Sequence, residues 1–387
     1  MFVSIIIPTS NAEDTIEKVL NSIISQDFKE FEIIIIDNGS EDKTEEIVKK
    51  FSEQNKANIK YFKYEHKLGH AGAINEGISK ASGDLVLILH DDLVLGESNW
   101  LSEMVKVMEK DEVGIASSLF VTPVRKLNSI INKAFSYIYI LGWHDTKVDL
   151  GVQEVMYTGL NNDMIKRKVI EKVGYPDNTY KYGMHDIDYS ERVKRAGYKI
   201  VLNAKVHVEH LLSSYQRSLK GHIKKAWQYG YPSSVIMKRY GYLPNLDNMM
   251  FAVGLLMFAL SILLPSLFLP LVFLLVVLSI ISFKLEQPNF YRKNKYLIRA
   301  KKLLLGSISA LIGYLIFHPL LFLAYGGVVI LYRALSNTII SFRELKDVKV
   351  SLLVFLFYPL WNLISGFSVL GGFFTFLIIP YIKKLFG

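Results

Sequence analysis

The sequence contains no cysteine, which excludes disulfides, thiolate metal sites and a cysteine nucleophile, and fits a reducing compartment. The opening stretch MFVSIIIPTSN also lacks the basic segment and long apolar run of a secretory leader. The first half of the chain is therefore expected to stay in the cytosol, where it is made. A basic excess exists, with 45 Lys and Arg against 36 Asp and Glu over 387 residues, a net charge of +9. Its distribution speaks against nucleic acid as a partner. The cations gather between apolar blocks, at Lys224, Lys225, Lys238 and Arg239, then from Lys284 to Lys302, and finally at Lys383 and Lys384. That is the pattern of membrane-flanking loops on a cytoplasmic face.

Hydrophobic residues make up 51% of the chain, yet the first half carries charge at the density of a soluble domain, so the apolar residues are concentrated in the second half. Three blocks, 249–283, 303–335 and 350–382, each exceed the ~20 residues that a helix needs to span a bilayer. Each has a breaker near its centre: Pro265 and Pro270, His318 with Pro319, and Gly366. Two arrangements are open, helical hairpins of short helices or single tilted spans, which together bracket three to six crossings. Residues 249–387 are expected to form an all-α transmembrane domain. Residues 216–248, including the basic and aromatic KGHIKKAWQYGY (Lys220 to Tyr231), are expected to be a connector at the membrane face. Membrane lipids are thus expected partners.

The soluble part, residues 1–215, alternates strand and helix patterns. Phe2 to Ile7, Phe31 to Ile36 and Ile59 to Tyr64 are β-rich runs, and Asn11 to Gln26, Glu41 to Phe51 and Gly69 to Ala81 have helical spacing. Such alternation predicts an α/β domain on a mostly parallel sheet with flanking helices. The sharpest feature is GDLVLILHDDL, Gly83 to Leu93. Five of the six residues from Leu85 to His90 are Leu, Val or Ile, as in a strand buried on both faces. Asp91 and Asp92 follow at its exit. Ligands of open α/β sheets bind at the carboxyl ends of strands, so these acids are placed to hold a hard cation and a phosphorylated ligand. The plain alternative is a polar turn, and for Asp91 it stays open.

Three stretches, VSIIIPTSN, IIIIDNGSEDKT and LGHAGAINEGISKASGDLVLILHDD, resemble in order and spacing the N-terminal half of family 2 glycosyltransferases of the GT-A fold. The resemblance covers about residues 1 to 215. It implies that Pro8, Thr9 and Asn11 line a nucleotide pocket, and that Asp37 faces the base and ribose of a nucleotide-diphospho-sugar donor. Lys67 and Gly69 fall where the family contacts the nucleotide. Asp92 matches the last carboxylate of the family's DxD, which holds Mg²⁺ or Mn²⁺ against the diphosphate. His90 stands where the first Asp of that motif is usual, suited to hydrogen-bond ribose or phosphate, with Asp91 in the variable position.

A second acidic cluster lies in GMHDIDYSERVKR, Gly183 to Arg195. It resembles the family's EDxD block, which implies Asp186 as the base that deprotonates the acceptor, with Asp188 two positions on as an acceptor contact or a cap of the helix Tyr189 to Ala196. His185 replaces the customary Glu. His210 falls where the family often has a histidine closing over the metal or diphosphate, and a purely structural role for it is equally open. The Gln and Arg of the QxxRW motif of processive synthases are missing from Ile223 to Trp227, which speaks against a processive polymerase. Taken with the apolar blocks and their basic flanks, the resemblance implies a multi-pass cell-membrane enzyme with its catalytic domain cytoplasmic. It would transfer a sugar with inversion to a hydroxyl of a lipid-linked or envelope glycan acceptor. The alternatives are a polyprenyl-phosphate sugar synthase, whose acceptor is a phosphate, and a non-catalytic nucleotide-sugar-binding subunit of a membrane transporter.

Overall fold

A computed structural model describes residues 1–55, 58–138, 143–144, 151–180, 183–211, 218–264 and 320–373, together with positions 270, 274, 277 and 375. The chain divides into two compact units. The first comprises Met1–Leu127, Ile140–Lys181 and His185–Ser218, and the second Asn128–Tyr139, Tyr182–Met184 and Leu219–Gly387.

The first unit is built on the expected alternation. Strands β1 (Val3–Thr9), β2 (Phe31–Asp37), β3 (Ile59–Lys63) and β4 (Leu85–Leu89) are interleaved with helices α1 (Ile16–Ile24), α2 (Thr44–Asn55) and α3 (His70–Lys80). β1 pairs in parallel with β2 and with β4, and β2 with β3. Chain order therefore reverses beside β1, since β2 and β3 lie on one side and β4 on the other. Every residue of β1 and of β4 is buried, which explains their unbroken apolar runs. α3 lies close on the sheet because Gly77 has no side chain, and a Cβ there would stand 2.2 Å from Cγ2 of Ile6. The side chains of Ile16, Val19, Leu20 and Ile23 from α1 join Ile5, Ile7, Leu87 and fully buried Trp100 in the main core.

The remainder of the sheet differs from a parallel expectation. After β5 (Leu93–Leu95), α4 (Trp100–Met108) and β6 (Val113–Thr122) come α5 (Ile130–Ile138), which belongs to the second unit, and the short β7 (Trp143–His144) and β8 (Val152–Glu154). Then β9 (Asn162–Lys166) enters antiparallel between β4 and β6. The sequence pattern predicts a strand from Val152 to Gly159 and a helix from Asp163 to Gly174, and both are corrected: β8 ends at Glu154, β9 takes up Asn162–Lys166, and the helix, α6, is only Arg167–Val173. Asn, Asp and Lys are poor strand formers, and in β9 the side chains of Asn162 and Lys166 instead find partners inside the fold. Ser117 donates to Asn162 Oδ1, Asn162 Nδ2 donates to Ser118, and Lys166 Nζ donates to the Lys110 carbonyl at 2.6 Å. Helix α7 (His185–Arg195) precedes β10 (Lys199–His210), a strand of 12 residues that runs parallel to β6 and antiparallel to β5.

The second unit is helical in its described part beyond 218: α8 (Leu219–Gly230), α9 (Ser233–Tyr240), α10 (Leu246–Leu263), α11 (Leu320–Leu345) and α12 (Val348–Phe373). The breakers expected at Pro265, Pro270, His318 and Pro319 fall outside the described stretches, apart from position 270, as does the segment 285–302, whose cations predict an interfacial position. At Gly366 the expectation of a break is corrected, because α12 runs straight through it. The glycine serves close packing instead, since a Cβ there would come within 2.0 Å of the Asn248 carbonyl oxygen on α10. Gly230 on α8 and Gly372 on α12 are equally tight, at 2.2 Å from the Ser365 carbonyl and 1.9 Å from that of Tyr231. Among the described residues one helix, Val348–Gly372, is long and apolar enough to cross a membrane.

Candidate active site

The site builds up at the carboxyl ends of β1, β2 and β4, beside the point where strand order reverses, which is where open α/β sheets bind ligands. β1 ends in Thr9, whose hydroxyl donates to Asp91 Oδ2 at 2.7 Å, and the Ser10 N–H donates to the same oxygen at 3.1 Å. Asp91 thus closes the gap between β1 and the exit of β4. Its burial, and then the like charge of Asp92, push its carboxyl well above the usual range. Asp92 is buried. Antiparallel pairing of β5 with the end of β10 sets His210 opposite Leu93, and this brings His210 Nε2 to 3.3 Å from Asp92 Oδ2.

Asp92 and His210, 118 positions apart, are therefore neighbours. The Nδ1 atom of His210 is buried without a hydrogen-bond partner, and its ring leans on Phe120 with centroids 4.9 Å apart. A carboxylate fits a divalent cation that takes its other ligands from phosphate and water, as Mg²⁺ commonly does, and the imidazole beside it suits a transition-type ion. Among the described residues no group of three or more His, Cys, Asp or Glu is arranged to hold a metal ion. Any cation here must lean on the ligand it serves.

Around this centre the expected nucleotide-binding residues are spread over three strand ends. Pro8, next to last in β1, pairs opposite Ile36. Asn11 adopts a positive φ of 56°, its N–H donating to Ser40 Oγ at 2.9 Å and its Oδ1 accepting from the Glu41 N–H at 2.9 Å. Asp37 is fully buried at the end of β2. Its Oδ1 accepts from the Ser40 N–H at 2.7 Å and its Oδ2 from the Tyr61 hydroxyl, so the chain itself holds both oxygens in place. Burial and that bond to Asp37 push the Tyr61 hydroxyl far up, leaving it a firm donor. Lys67 is exposed in the loop before α3. Gly69 precedes the helix with φ 75° and ψ 170°, a conformation that favours glycine.

The second acidic cluster lies in the first turn of α7, where the positive end of the helix dipole favours carboxylates. The helix begins at His185, so Asp186 and Asp188 are inside it and neither is the residue before it. Asp188 is fully buried, accepts from Arg192 Nε at 3.0 Å and from the Tyr180 hydroxyl at 3.3 Å. Arg192 in turn donates to the carbonyls of Val173 and Tyr175 at 2.6 and 2.9 Å. Asp188 therefore braces α7 against the turn after α6. Asp186 is partly exposed.

Two features of the site carry no sequence motif. Asp163, buried in β9 opposite Ile88, has its carboxyl raised to about 6, burial being the main cause and the charge of Asp186 a lesser one. Its strand was hidden in a segment with helical spacing. His70, the first residue of α3, stands between two other imidazoles: its Nδ1 lies 2.9 Å from His185 Nε2, and its Nε2 lies 2.7 Å from His90 Nε2. The ring centroids are 5.0 and 4.7 Å apart. A lone histidine after a glycine has no pattern to betray such a contact.

Residues 4–174 match the family model described as Glycosyl transferase family 2. The GalNAc(5)-diNAcBac-PP-undecaprenol beta-1,3-glucosyltransferase of Campylobacter jejuni is 41% identical over 90 residues, 23% of this chain and 29% of that relative. The dolichyl N-acetyl-alpha-D-glucosaminyl phosphate 3-beta-D-2,3-diacetamido-2,3-dideoxy-beta-D-glucuronosyltransferase of Methanococcus voltae is 28% identical over 292 residues, 68% of this chain and 81% of its own length. Glycosyltransferase AglE of Haloferax volcanii is 27% identical over 51% of this chain and 63% of that relative, so the chain spans less than two thirds of several relatives that it matches. Among solved structures, the mannosyltransferase PcManGT from Pyrobaculum calidifontis, in complex with GDP-Man and Mn²⁺, superposes with a TM-score of 0.53 at 17% identity, covering 97% of this chain and 87% of that one. With the mixed α/β sheet of a GT-A-like fold and this match, the chain carries a family 2 glycosyltransferase domain at residues 4–174.

Proposed function

We propose that the chain is a membrane-bound inverting glycosyltransferase that moves a sugar from a nucleotide-diphospho-sugar to a hydroxyl of a lipid-linked or envelope glycan acceptor. The observation that carries the proposal is the meeting of Asp91 and Asp92, inside the family 2 domain at residues 4–174, with His210 at the carboxyl end of β4, beside the strand-order reversal. Pro8, Thr9, Asn11 and Asp37, with Lys67 and Gly69, bind the nucleotide. Asp92 and His210 hold Mg²⁺ or Mn²⁺, which when bound offsets the charge that develops on the nucleoside diphosphate leaving group. Relatives named for undecaprenol- and dolichyl-linked substrates, and a structural neighbour that binds GDP-Man with Mn²⁺, support the donor, metal and acceptor classes.

Asp186 takes the proton from the acceptor hydroxyl as its oxygen attacks the anomeric carbon on the face opposite the diphosphate, which inverts that centre. Asp188 and Arg192 keep the first turn of α7 fixed beneath it. The apolar helix Val348–Gly372 and the cations that flank the apolar blocks keep the catalytic domain at the cytoplasmic membrane face.

The full chain in membranes, incubated with a panel of nucleotide-sugars and membrane lipid extract, tests the reading. Nucleoside diphosphate release with one donor is expected, and Asp186→Asn should lower kcat by about 10²- to 10⁴-fold, the usual contribution of a general base. No release with any donor would overturn the enzyme reading. Near-normal turnover of Asp186→Asn would favour an acceptor that is already anionic, a phosphate.

A further inference from the structure

The sequence departs from the family pattern it resembles at His90 and at His185, and both lie on one hydrogen-bonded chain whose middle member is His70. Three imidazoles joined by two N···N contacts of 2.9 and 2.7 Å need one proton in each contact. Which way the protons point follows from the far end of the chain. His185 Nδ1 is buried and has no hydrogen-bond partner among the described residues. Among backbone groups an orphaned buried N–H is rarer than an orphaned acceptor, and by the same reasoning that nitrogen keeps its lone pair and the proton of His185 sits on Nε2. Burial also lowers the pKa of His185, which keeps its ring neutral. His185 Nε2–H then donates to His70 Nδ1. His70 carries its own proton on Nε2 and donates it to His90 Nε2.

We propose that His70 is a positioning residue: it accepts from His185 and donates to His90, and so fixes His90 as the Nδ1–H tautomer. With its Nε2 lone pair engaged and its Nδ1 protonated, His90 has no nitrogen left to ligate a cation. Where the family pattern has a metal-binding carboxylate, this chain presents a hydrogen-bond donor, and the cation is left to Asp92 and His210. The same chain ties the first turn of α7, next to Asp186, to the exit of β4. It thereby holds the base and the diphosphate site in one register, across a sequence separation of 115 residues from His70 to His185. This inference rests on the transfer reading for its kinetic consequence, but its tautomer claim stands without turnover.

The test uses the full chain in lipid nanodiscs with ¹⁵N-labelled histidine, each ring assigned by His70→Phe, His90→Asn and His185→Asn. Ring-nitrogen shifts separate protonated from unprotonated nitrogens directly. The expected wild-type pattern is a protonated Nδ1 on His90, and a protonated Nε2 on His70 and His185. His90 protonated on Nε2 would overturn the proposal even if no donor is ever turned over. In kinetics, His70→Phe should lower kcat by about 10- to 100-fold, and His70→Gln, whose amide can accept and donate at once, should recover kcat to within about threefold of wild type. A His70→Phe enzyme with unchanged kcat and donor KM, or a His70→Gln enzyme no better than His70→Phe, would contradict the positioning role.

Discussion

Thr9 and Ser10 both donate to the same oxygen of Asp91, whereas Asp92 turns to His210. Adjacent acids thus have separate partners, one across the β1–β4 gap and one from the end of β10. Asp92→Asn should weaken Mg²⁺ or Mn²⁺ activation by about 10- to 100-fold, seen as a shift of the metal concentration for half-maximal activity, and activity that survives EDTA unchanged would contradict Asp92 as a ligand. A different carboxylate supports the opposite end of the sheet. Glu32 is 2% exposed, and burial by itself would raise its pKa, but bonds from Lys60, Ser4 and Ser82 outweigh burial and hold it at about 2. A depressed acid stabilises the fold above its ordinary value of 4.5, and that contribution is lost as pH falls towards 2. Glu32→Gln should therefore cost about 1–3 kcal/mol at neutral pH, with the gap from wild type closing in urea melts as pH falls from 5 to 3. A gap that is constant over that pH range would contradict it. The positions of Asp37, Asp92 and Asp186 at strand exits and in the first turn of α7 were legible in the sequence, because each follows an apolar run or opens a charged helix. Asp163 and His70 were not, because their partners come from strands and helices distant in sequence.

Among the elements, β1 to β4 with α1 to α3 emerge from hydrophobic periodicity alone, since a strand buried on both faces has an unbroken apolar run. β9 escapes the same reasoning. Its NDMIK sequence spends three of five buried positions on polar side chains, and the partners of Asn162 and Lys166 come from distant parts of the chain. Helix α12 shows the converse, because Gly366 looks like a break in one dimension and is a contact in three. In the helical unit the backbones of α8, α10 and α12 meet at Gly230, Gly366 and Gly372, the small-residue packing that favours helix association in lipid. Replacing Gly366 by Leu must push α12 off α10, and overpacking of this kind costs about 1–3 kcal/mol. The expected result is a lower thermal unfolding midpoint in detergent, with Gly366→Ala intermediate. An unchanged midpoint for Gly366→Leu would mean that the contact is absent.

For the whole molecule, charge and hydropathy set the division of labour. The family 2 domain carries the paired acids and the strand ends, and the basic flanks of the apolar blocks set the expected orientation at a membrane. Because Val348–Gly372 is long and apolar enough to span a bilayer, the chain should remain in the membrane pellet after alkaline carbonate extraction, and complete release would contradict the anchoring. The central claim, transfer with inversion from a nucleotide-diphospho-sugar, is tested most directly on the product. With the preferred α-linked donor, the account predicts one nucleoside diphosphate released per sugar transferred, and a β-linked product by the anomeric ¹H coupling. An α-linked product, or nucleoside diphosphate release with no sugar joined to an acceptor, would contradict it.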